Sequence, residues 1–443
     1  MSNLRKVLVF NLCAFALLSI QTKCSAEASN MFFDPAPIHE VLGINRFPAY
    51  ESDGKWYFDV HLSPFFQHSS GARDKDGNKV AEGDRLGYFD MIDMFDLSWF
   101  ADEASMSQIT PKTWNATNYP VLYETYNGLA VDGIEWSGND GSYTVTIDYE
   151  KIGMRVELDF AIAHGFGFCA KSGFVSYKQD PTFTDVSTDS ISSIVTDMIM
   201  SASIRNVIIP NELGTDLQRF ETTALEDTFL QIYWSRPCKF NDEKDNHVVT
   251  VYPYLSAGLW VPTGKNKDQN KFFSLPTGND GHFGFSLEGA LNFEFPGMLT
   301  LNAGAGVTFF DERTIDDFGT PTSREQGTFY PWKTTIRRRP GTSWNFNVSM
   351  HAENIVDSLS FYADYVFTKH EPDSISVESA RNPASFIPSK LEEESEWKAQ
   401  TVQAGFTYAV TPNLSLGIAG QTHISGVRVY KTHTIMGTIT FSF

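Results

Sequence analysis

Polar and apolar residues alternate over the last stretch of the chain, Thr432 to Phe443 (THTIMGTITFSF). Phe443, Phe441, Ile439, Gly437 and Ile435 are apolar or small, while Ser442, Thr440, Thr438 and Thr434 carry hydroxyls, with Met436 the exception. Successive side chains of a strand point to opposite faces, so this spacing predicts a strand with one apolar and one wet face. Trp56 to Gln67 repeats the design. Trp56, Phe58, Val60, Leu62, Pro64 and Phe66 share one face; Tyr57, Asp59, His61, Ser63 and Gln67 share the other.

Further strands follow the same rule. Tyr143, Val145, Ile147 and Tyr149 alternate with hydroxyls and Asp148. After Lys151, the run Ile152 to Ile162 sets Ile152, Met154, Val156, Leu158, Phe160 and Ile162 against Arg155, Glu157 and Asp159. Three charges backed by a solid apolar face suit a wall between lipid and water. Alternation continues to about Tyr177 and then near 225–238, 247–261, 281–295, 299–311, 342–355, 359–370, 399–410, 414–425 and 430–443. A weaker segment runs over 121–136. In 281–295, Phe283, Phe285, Leu287, Leu291, Phe293 and Phe295 oppose His282, Ser286, Glu288, Asn292 and Glu294.

Connection lengths alternate as well. Pro296-Gly297, Val356-Asp357-Ser358 and Thr411-Pro412-Asn413 are tight, whereas 262–280, 312–341 and 371–396 are long, polar and rich in Gly, Pro and charge. Short turns at one end and long loops at the other are the mark of an up-and-down transmembrane barrel, here of about 14 strands within a range of about 12 to 16. The expected class is all-β, an antiparallel β-barrel with the first strand paired to the last and both termini on the short-turn side. Two more long connections, 69–120 and 179–224, are candidates to fold into the mouth. The second holds Ile191, Ile194, Val195, Met198, Ile199 and Ala202 at helical spacing behind Asp189 and Ser190, which predicts one short helix over 190–204. The competing account, a secreted β-sandwich or propeller, would need a facing sheet to cover the apolar sides of 281–295 and 344–353.

The N-terminus favours export. Arg5 and Lys6 precede the apolar run Val7–Ile20, and Cys24-Ser25-Ala26-Glu27-Ala28 offers a small-residue cleavage site, so residues 1–26 read as a signal peptide. Residues 27–55 form a lead-in or plug, and 56–443 form the barrel. A formal net charge of −20 argues against nucleic acid, which demands a basic stripe. Two of the four cysteines leave with the signal; Cys169 and Cys238 have opposite parity and read as separate thiols.

The signal peptide, the alternating strands, the rhythm of connections and the terminal strand ending on Phe443 together resemble Gram-negative outer-membrane β-barrel proteins, porins in the broad sense. The resemblance covers roughly 56–443. It implies residence in the bacterial outer membrane among its lipid and lipopolysaccharide. It also implies periplasmic chaperones and a barrel-assembly machinery that reads Phe441 and Phe443 as an insertion signal. Tyr254 to Lys265 is similar to segments of uptake channels for hydrophobic or aromatic compounds. Aromatics near strand ends (Trp56, Tyr57, Trp260, Trp344, Trp397, Tyr430) would form interfacial girdles.

On this reading the polar faces line a pore. Arg155, Glu157, Asp159, Lys171, Tyr252, Tyr254, Glu288, Asn292, Glu294, Asn345, Asn347, His351, Glu353 and Asp364 all point inward. Arg337, Arg338 and Arg339, at the foot of a long loop, are candidates for the basic side of a constriction opposite Glu392, Glu393, Glu394 and Glu396. Solvated loop charges, bridged to lipid headgroups by divalent cations, are the stronger reading of the two runs. Ser349, His351 and Glu353 stand at two-residue steps about 7 Å apart, too far for a triad, so a catalytic role is not expected. No cofactor and no metal is expected. The expected function is passive diffusion of small solutes, in a chain that could self-associate. The alternatives are a facilitator for hydrophobic compounds and a structural or adhesive surface barrel.

Overall fold

The computed structural model describes residues 57–80, 89–90, 142–185, 216–241, 247–296, 299–321, 330, 333–379 and 386–443. In chain order the strands are β1 (Tyr57–Arg73), the short β2 (Lys79–Val80) and β3 (Phe89–Asp90), β4 (Ser142–Ala163), β5 (Phe166–Asp185), β6 (Phe220–Leu225), β7 (Thr228–Ser235), β8 (Cys238–Asn241), β9 (His247–Val261) and β10 (Gly284–Phe295). They continue with β11 (Leu299–Phe310), β12 (Arg313–Gly319), β13 (Lys333–Arg339), β14 (Ser343–Val356), β15 (Leu359–His370), β16 (Ser374–Ser379), β17 (Trp397–Thr411), β18 (Leu414–Val427) and β19 (Val429–Ser442). One helix, α1 (Pro388–Ser395), lies among the described residues.

Twelve of these strands close into an antiparallel ring: β1, β4, β5, β7, β9, β10, β11, β14, β15, β17, β18, β19 and back to β1. Closure is what the bilayer demands, because an open edge in lipid would leave a row of unpaired N–H and C=O groups. The seam is the expected one. β1 pairs with β19 from Asp59↔Ser442 to Arg73↔Val429, and the backbones of Phe58 and Phe443 hydrogen-bond to each other.

The ring has the lower number of the expected range for two reasons. The 121–136 segment lies outside the described residues. The alternating runs on either side of Lys151 belong to the single 22-residue strand β4. Their patterns are out of phase: Val145, Ile147 and Tyr149 share the parity of Arg155 and Glu157, and all five are buried. Outward positions change from polar (Asp148, Glu150) to apolar (Ile152, Met154). The neighbours switch at the same level, from Lys178 and Ser176 to Phe174 on β5, from His68 to Phe66 on β1, and from His433 to Ile435 on β19. A phase inversion at one height on four paired strands marks the membrane surface. Below it the outside meets lipid; above it the outside meets water and the inside meets packed loops.

Burial is inverted relative to a water-soluble protein. Exposed side chains include Ile152, Leu158, Phe168, Ile232, Leu255, Leu287, Leu291, Phe346, Ile418 and Ile435, while His61, Gln67, Lys151, Glu157, Lys171, Gln231 and Asn292 are buried. The girdle expectation needs correction. Trp344 is exposed at the long-loop end, but Trp260, Trp397 and Tyr430 are buried, because their parity is that of the polar face. Trp260 instead packs on Phe229 (4.5 Å between ring centres) and donates to Ser286 Oγ. Trp56 lies outside the described residues. At the short-turn end of the seam Phe58 stacks on Phe443 and meets Phe160 edge-on.

Tight turns join strands at one end. In Ala163-His164-Gly165-Phe166 both central residues have positive φ (54° and 87°), the twist-matched hairpin geometry for which Gly165 is suited. The long loops carry structure of their own. β12, β13 and β16 form a separate three-stranded sheet, closed by α1 over a core of Ile315, Phe318, Tyr330, Ile336, Ile375 and Leu391. The sequence predicts plain connections here, since each strand is only six or seven residues and pairs with a distant loop. The predicted helix over 190–204 lies outside the described residues.

Candidate pore interior

Alternation alone turns one face of every ring strand inward, so every second residue faces the interior. Of the residues expected to line it, Arg155, Glu157, Lys171, Tyr252, Tyr254 and Asn292 are buried. Asp159, Glu288, Asn345, Asn347, His351, Glu353 and Asp364 are half-buried, and Glu294 is exposed near the short-turn end. All share the parity opposite to the lipid-facing side chains of their strands.

The interior has two chemically different sides. Along β1, β4, β5 and β7 it is charged. Arg155 donates to both oxygens of Glu226 (2.7 and 2.9 Å), and Lys151 lies 3.0 Å from the same carboxylate. Phe65 and Tyr177 form a cation–π cage around this pair of cations, with Lys151 Nζ 4.7 Å from the Tyr177 ring centre. Lower down Lys171 pairs with Glu157 (3.2 Å), whose other oxygen faces the Cys169 thiol, and Tyr233 Oη donates to Asp159 (2.6 Å). Cys169 is buried and Cys238 exposed, both as free thiols. Along β10, β11, β14, β15 and β17 amides and hydroxyls (Asn292, Asn302, Asn345, Asn347, Ser349 and Gln403) stand among the separate carboxylates Glu288, Glu294, Glu353 and Asp364, with Asn347 Nδ2 donating to Asn302 Oδ1.

Glu226, the hub of the charged side, is not among the residues that alternation predicts. It sits with Asp227 in an irregularity between β6 and β7, where the pairing to β5 shifts by one residue. The bulge re-aims both carboxylates. Lys151 escapes the pattern for a related reason: it stands where the hydrophobic phase inverts. Two adjacent acidic residues, which cannot both keep a period of two, and a lysine at a phase change are the sequence signals that point to them.

The loop between β9 and β10 folds over the charged side. Asp227 accepts from the backbone N–H of Gly264 (2.9 Å) and of Asn279 (2.6 Å), pinning both ends of the loop with one carboxylate. The apex reaches the inner wall, where Gln179 Nε2 donates to the Phe273 carbonyl and Tyr430 Oη to Gln179 Oε1. Phe273 and Leu275 are buried there, as are Leu217 and Phe220 on the segment that the Asp216–Lys271 bridge ties to the loop.

The arginine run is engaged elsewhere than across a pore mouth. Arg337 is exposed and pairs with Glu312 and Glu378; Arg339 is exposed. Arg338 is buried between Asp373 (2.7 Å) and Asp280 (3.5 Å), tying the small sheet to the β9–β10 loop. The acidic run opposite is engaged as well. Glu392 accepts from the Ile375 N–H, Glu394 from Tyr330, and Glu396 lies near Lys369. In this loop layer, burial would raise the Asp373 carboxyl, but Arg338 and His370 hold it well below the usual carboxylate range. Burial, reinforced by Arg338, pushes the neighbouring His282 down to about 4. Among the described residues no group of three or more His, Cys, Asp or Glu is placed to hold a metal.

No family model matches the sequence, and no curated protein matches it. Among solved structures the chain is similar to an outer membrane channel from Pseudomonas putida F1, with a TM-score of 0.47 at 9% identity over 89% of this chain and 98% of that one. It also matches the NanC porin (TM-score 0.29, 10% identity, 69% and 95% covered). A Pseudomonas aeruginosa FadL homologue matches as well (TM-score 0.27, 12% identity, 88% and 89% covered). Likeness at this level says nothing of what passes through the barrel. Ring closure, the lipid-facing apolar belt and the polar interior make the chain a transmembrane β-barrel of the outer-membrane type.

Proposed function

We propose that the protein is a pore of the bacterial outer membrane for passive diffusion of small polar solutes. The observation that carries this reading is the side of the interior lined by Asn292, Asn302, Asn345, Asn347 and Ser349. Neutral amides and hydroxyls exchange hydrogen bonds with water and solutes without holding them, as a passive pore requires. The residues expected to line the pore keep that role in this proposal. Residues 1–26 direct export, chaperones and the assembly machinery deliver the barrel, and lipopolysaccharide surrounds it. Planar-bilayer recording on purified protein tests the proposal. Stable open steps are expected, and persistent silence with folded protein would sink it.

A second reading, a facilitator for hydrophobic compounds, draws on Phe273, Leu275, Leu217 and Phe220 buried at the mouth. It is distinguished by silence in the same recording together with saturable uptake of an apolar tracer into vesicles.

A further inference from the structure

We propose that the outside of the wall holds one acyl chain of an anionic glycerophospholipid of the periplasmic leaflet, with the lipid phosphate at Arg236. The proposal rests on the transmembrane barrel and is independent of what passes through it. A groove of about 640 Å³ crosses the lipid-facing side of the wall between β7 and β14. It follows two adjacent rungs of the ladder, one through Trp234, Leu255, Gly289 and Ala305, the other through Ala257, Leu287 and Trp344. All seven have outward parity. Ala257, Gly289 and Ala305 form the floor, and the large side chains form the banks, with Leu255, Leu287 and Trp344 exposed.

The low floor is not forced by the neighbouring strands. A Cβ added at Gly289 would meet Leu255 Cδ2 at 3.6 Å, an ordinary contact, whereas one at Gly167 or Gly258 would run into the Tyr233 or Phe229 ring. Gly289 thus leaves room that no side chain of the barrel takes up. An unfilled groove forfeits dispersion contacts along its whole length, and hydrocarbon is the material this face meets. Four interstrand steps from β7 to β14 give a length of about 19 Å, enough for one extended chain of a leaflet about 15 Å deep.

The two ends decide which lipid enters. Strands of such barrels are tilted, so a rung climbs across the wall. At the low end the Ser235 N–H donates to the Gly165 carbonyl of the tight β4–β5 turn (2.8 Å), which sets Trp234 and Arg236 at the short-turn, periplasmic surface. Arg236 is exposed, shares the outward parity of Trp234, and its guanidinium has no hydrogen-bond or ion-pair partner among the described residues. A guanidinium beside an interfacial indole fits a phosphate ester whose chain runs up the groove. The high end suits a phosphate badly. Trp344 Nε1 donates to the Glu371 carboxylate (3.2 Å), and Lys369, opposite Trp344, pairs with Glu396 (3.6 Å). Lipid A descending from the outer leaflet would bring its phosphates against Glu371.

The test is native mass spectrometry of the full barrel in detergent, titrated with dioleoyl-phosphatidylglycerol. One adduct is expected to saturate ahead of the rest. Gly289→Leu, which fills the groove, is checked for heat-modifiable mobility and is expected to lose that adduct. Arg236→Gln is expected to weaken it about tenfold, the worth of one charge-assisted hydrogen bond. Ile418→Ala, on another part of the lipid-facing wall, is expected to keep it. Should Gly289→Leu fail to fold, Arg236→Gln, at an exposed position, and competition with lipid A carry the test. No saturating adduct in the wild type, an adduct unchanged in either folded variant, equal loss in Ile418→Ala, displacement by equimolar lipid A, or a dimer in place of the adduct would each overturn the inference. None of these outcomes bears on the pore reading, and a silent bilayer recording leaves the lipid site standing.

Discussion

At the scale of single residues, the strongest interactions are the buried charges, and their value lies in being paired. Removing one member of a buried ion pair costs about 3–5 kcal/mol, because the survivor remains desolvated and alone. Arg338→Met would leave Asp373 and Asp280 facing each other without their cation. It is expected to loosen the β12–β13–β16 sheet and expose it to protease while the barrel keeps its heat-modifiable mobility. The same layer has a defined response to acid. The folded value of His282, about 4, lies below its ordinary value. Its contribution to stability is therefore complete above about pH 6.5 and is lost as the pH falls toward 4. Asp373 is also held below its ordinary range. Its contribution is present above about pH 4 and is lost only at lower pH. Resistance of the loop sheet to an acid-active protease is therefore expected to decline in two steps on acidification, the His282 step first; a single step below about pH 4 would contradict the assignment.

At the scale of elements, two contacts have effects beyond their own strands. Asp227 holds both ends of the β9–β10 loop, so Asp227→Ala is expected to release the loop from the inner wall. Higher conductance and faster hydrogen exchange at 264–279 would follow in a barrel of unchanged closure. Unchanged exchange there would show that Gln179 and the Phe273 carbonyl hold the apex unaided. The other contact is the seam. Phe443 exchanges backbone hydrogen bonds with Phe58 and stacks on its ring, 6.1 Å between centres. Deletion of Phe443 removes the last rung between first and last strands, and with it the residue proposed to signal insertion. Assembled, heat-modifiable barrel in vivo is expected to fall, while refolding in detergent is impaired less, since the detergent reaction needs no recognition step.

At the scale of the whole molecule, stability comes from an inside-out distribution of polarity around a closed hydrogen-bonded ring. Leu291 faces outward near the middle of the 12-residue β10 and is 46% exposed. Leu291→Arg is expected to cost about 2–4 kcal/mol in urea unfolding from vesicles, the cost of a cation at the midplane. Little effect would mean that this face does not meet lipid. The ring is largely legible in the sequence. Alternation in 56–67, 281–295, 342–355 and 430–443, and the rhythm of short and long connections, identify the wall, its inward residues and its closing pair. The least legible stretches are those where one rule meets another. At Lys151 the phase of alternation inverts because the strand leaves the membrane. At Glu226-Asp227 a bulge breaks the period, and in β12, β13 and β16 short strands pair across two long loops.

The sequence by itself determined that this chain forms strands with one apolar and one polar face, and that they close with the first beside the last. A period of two and a need to leave no edge in lipid are local and general requirements, readable without knowing any contact. The tertiary structure alone decided which inward charges neutralise each other. It was also needed to show that Arg338 is buried in a loop sheet and that one loop turns into the mouth. Those outcomes depend on distances between residues far apart in the chain. Arg155 meets Glu226 because β5 pairs with β4 on one side and with β6 and β7 on the other, while Gln179 meets Tyr430 and Asp59 faces Asp159 because closure sets β1 between β4 and β19.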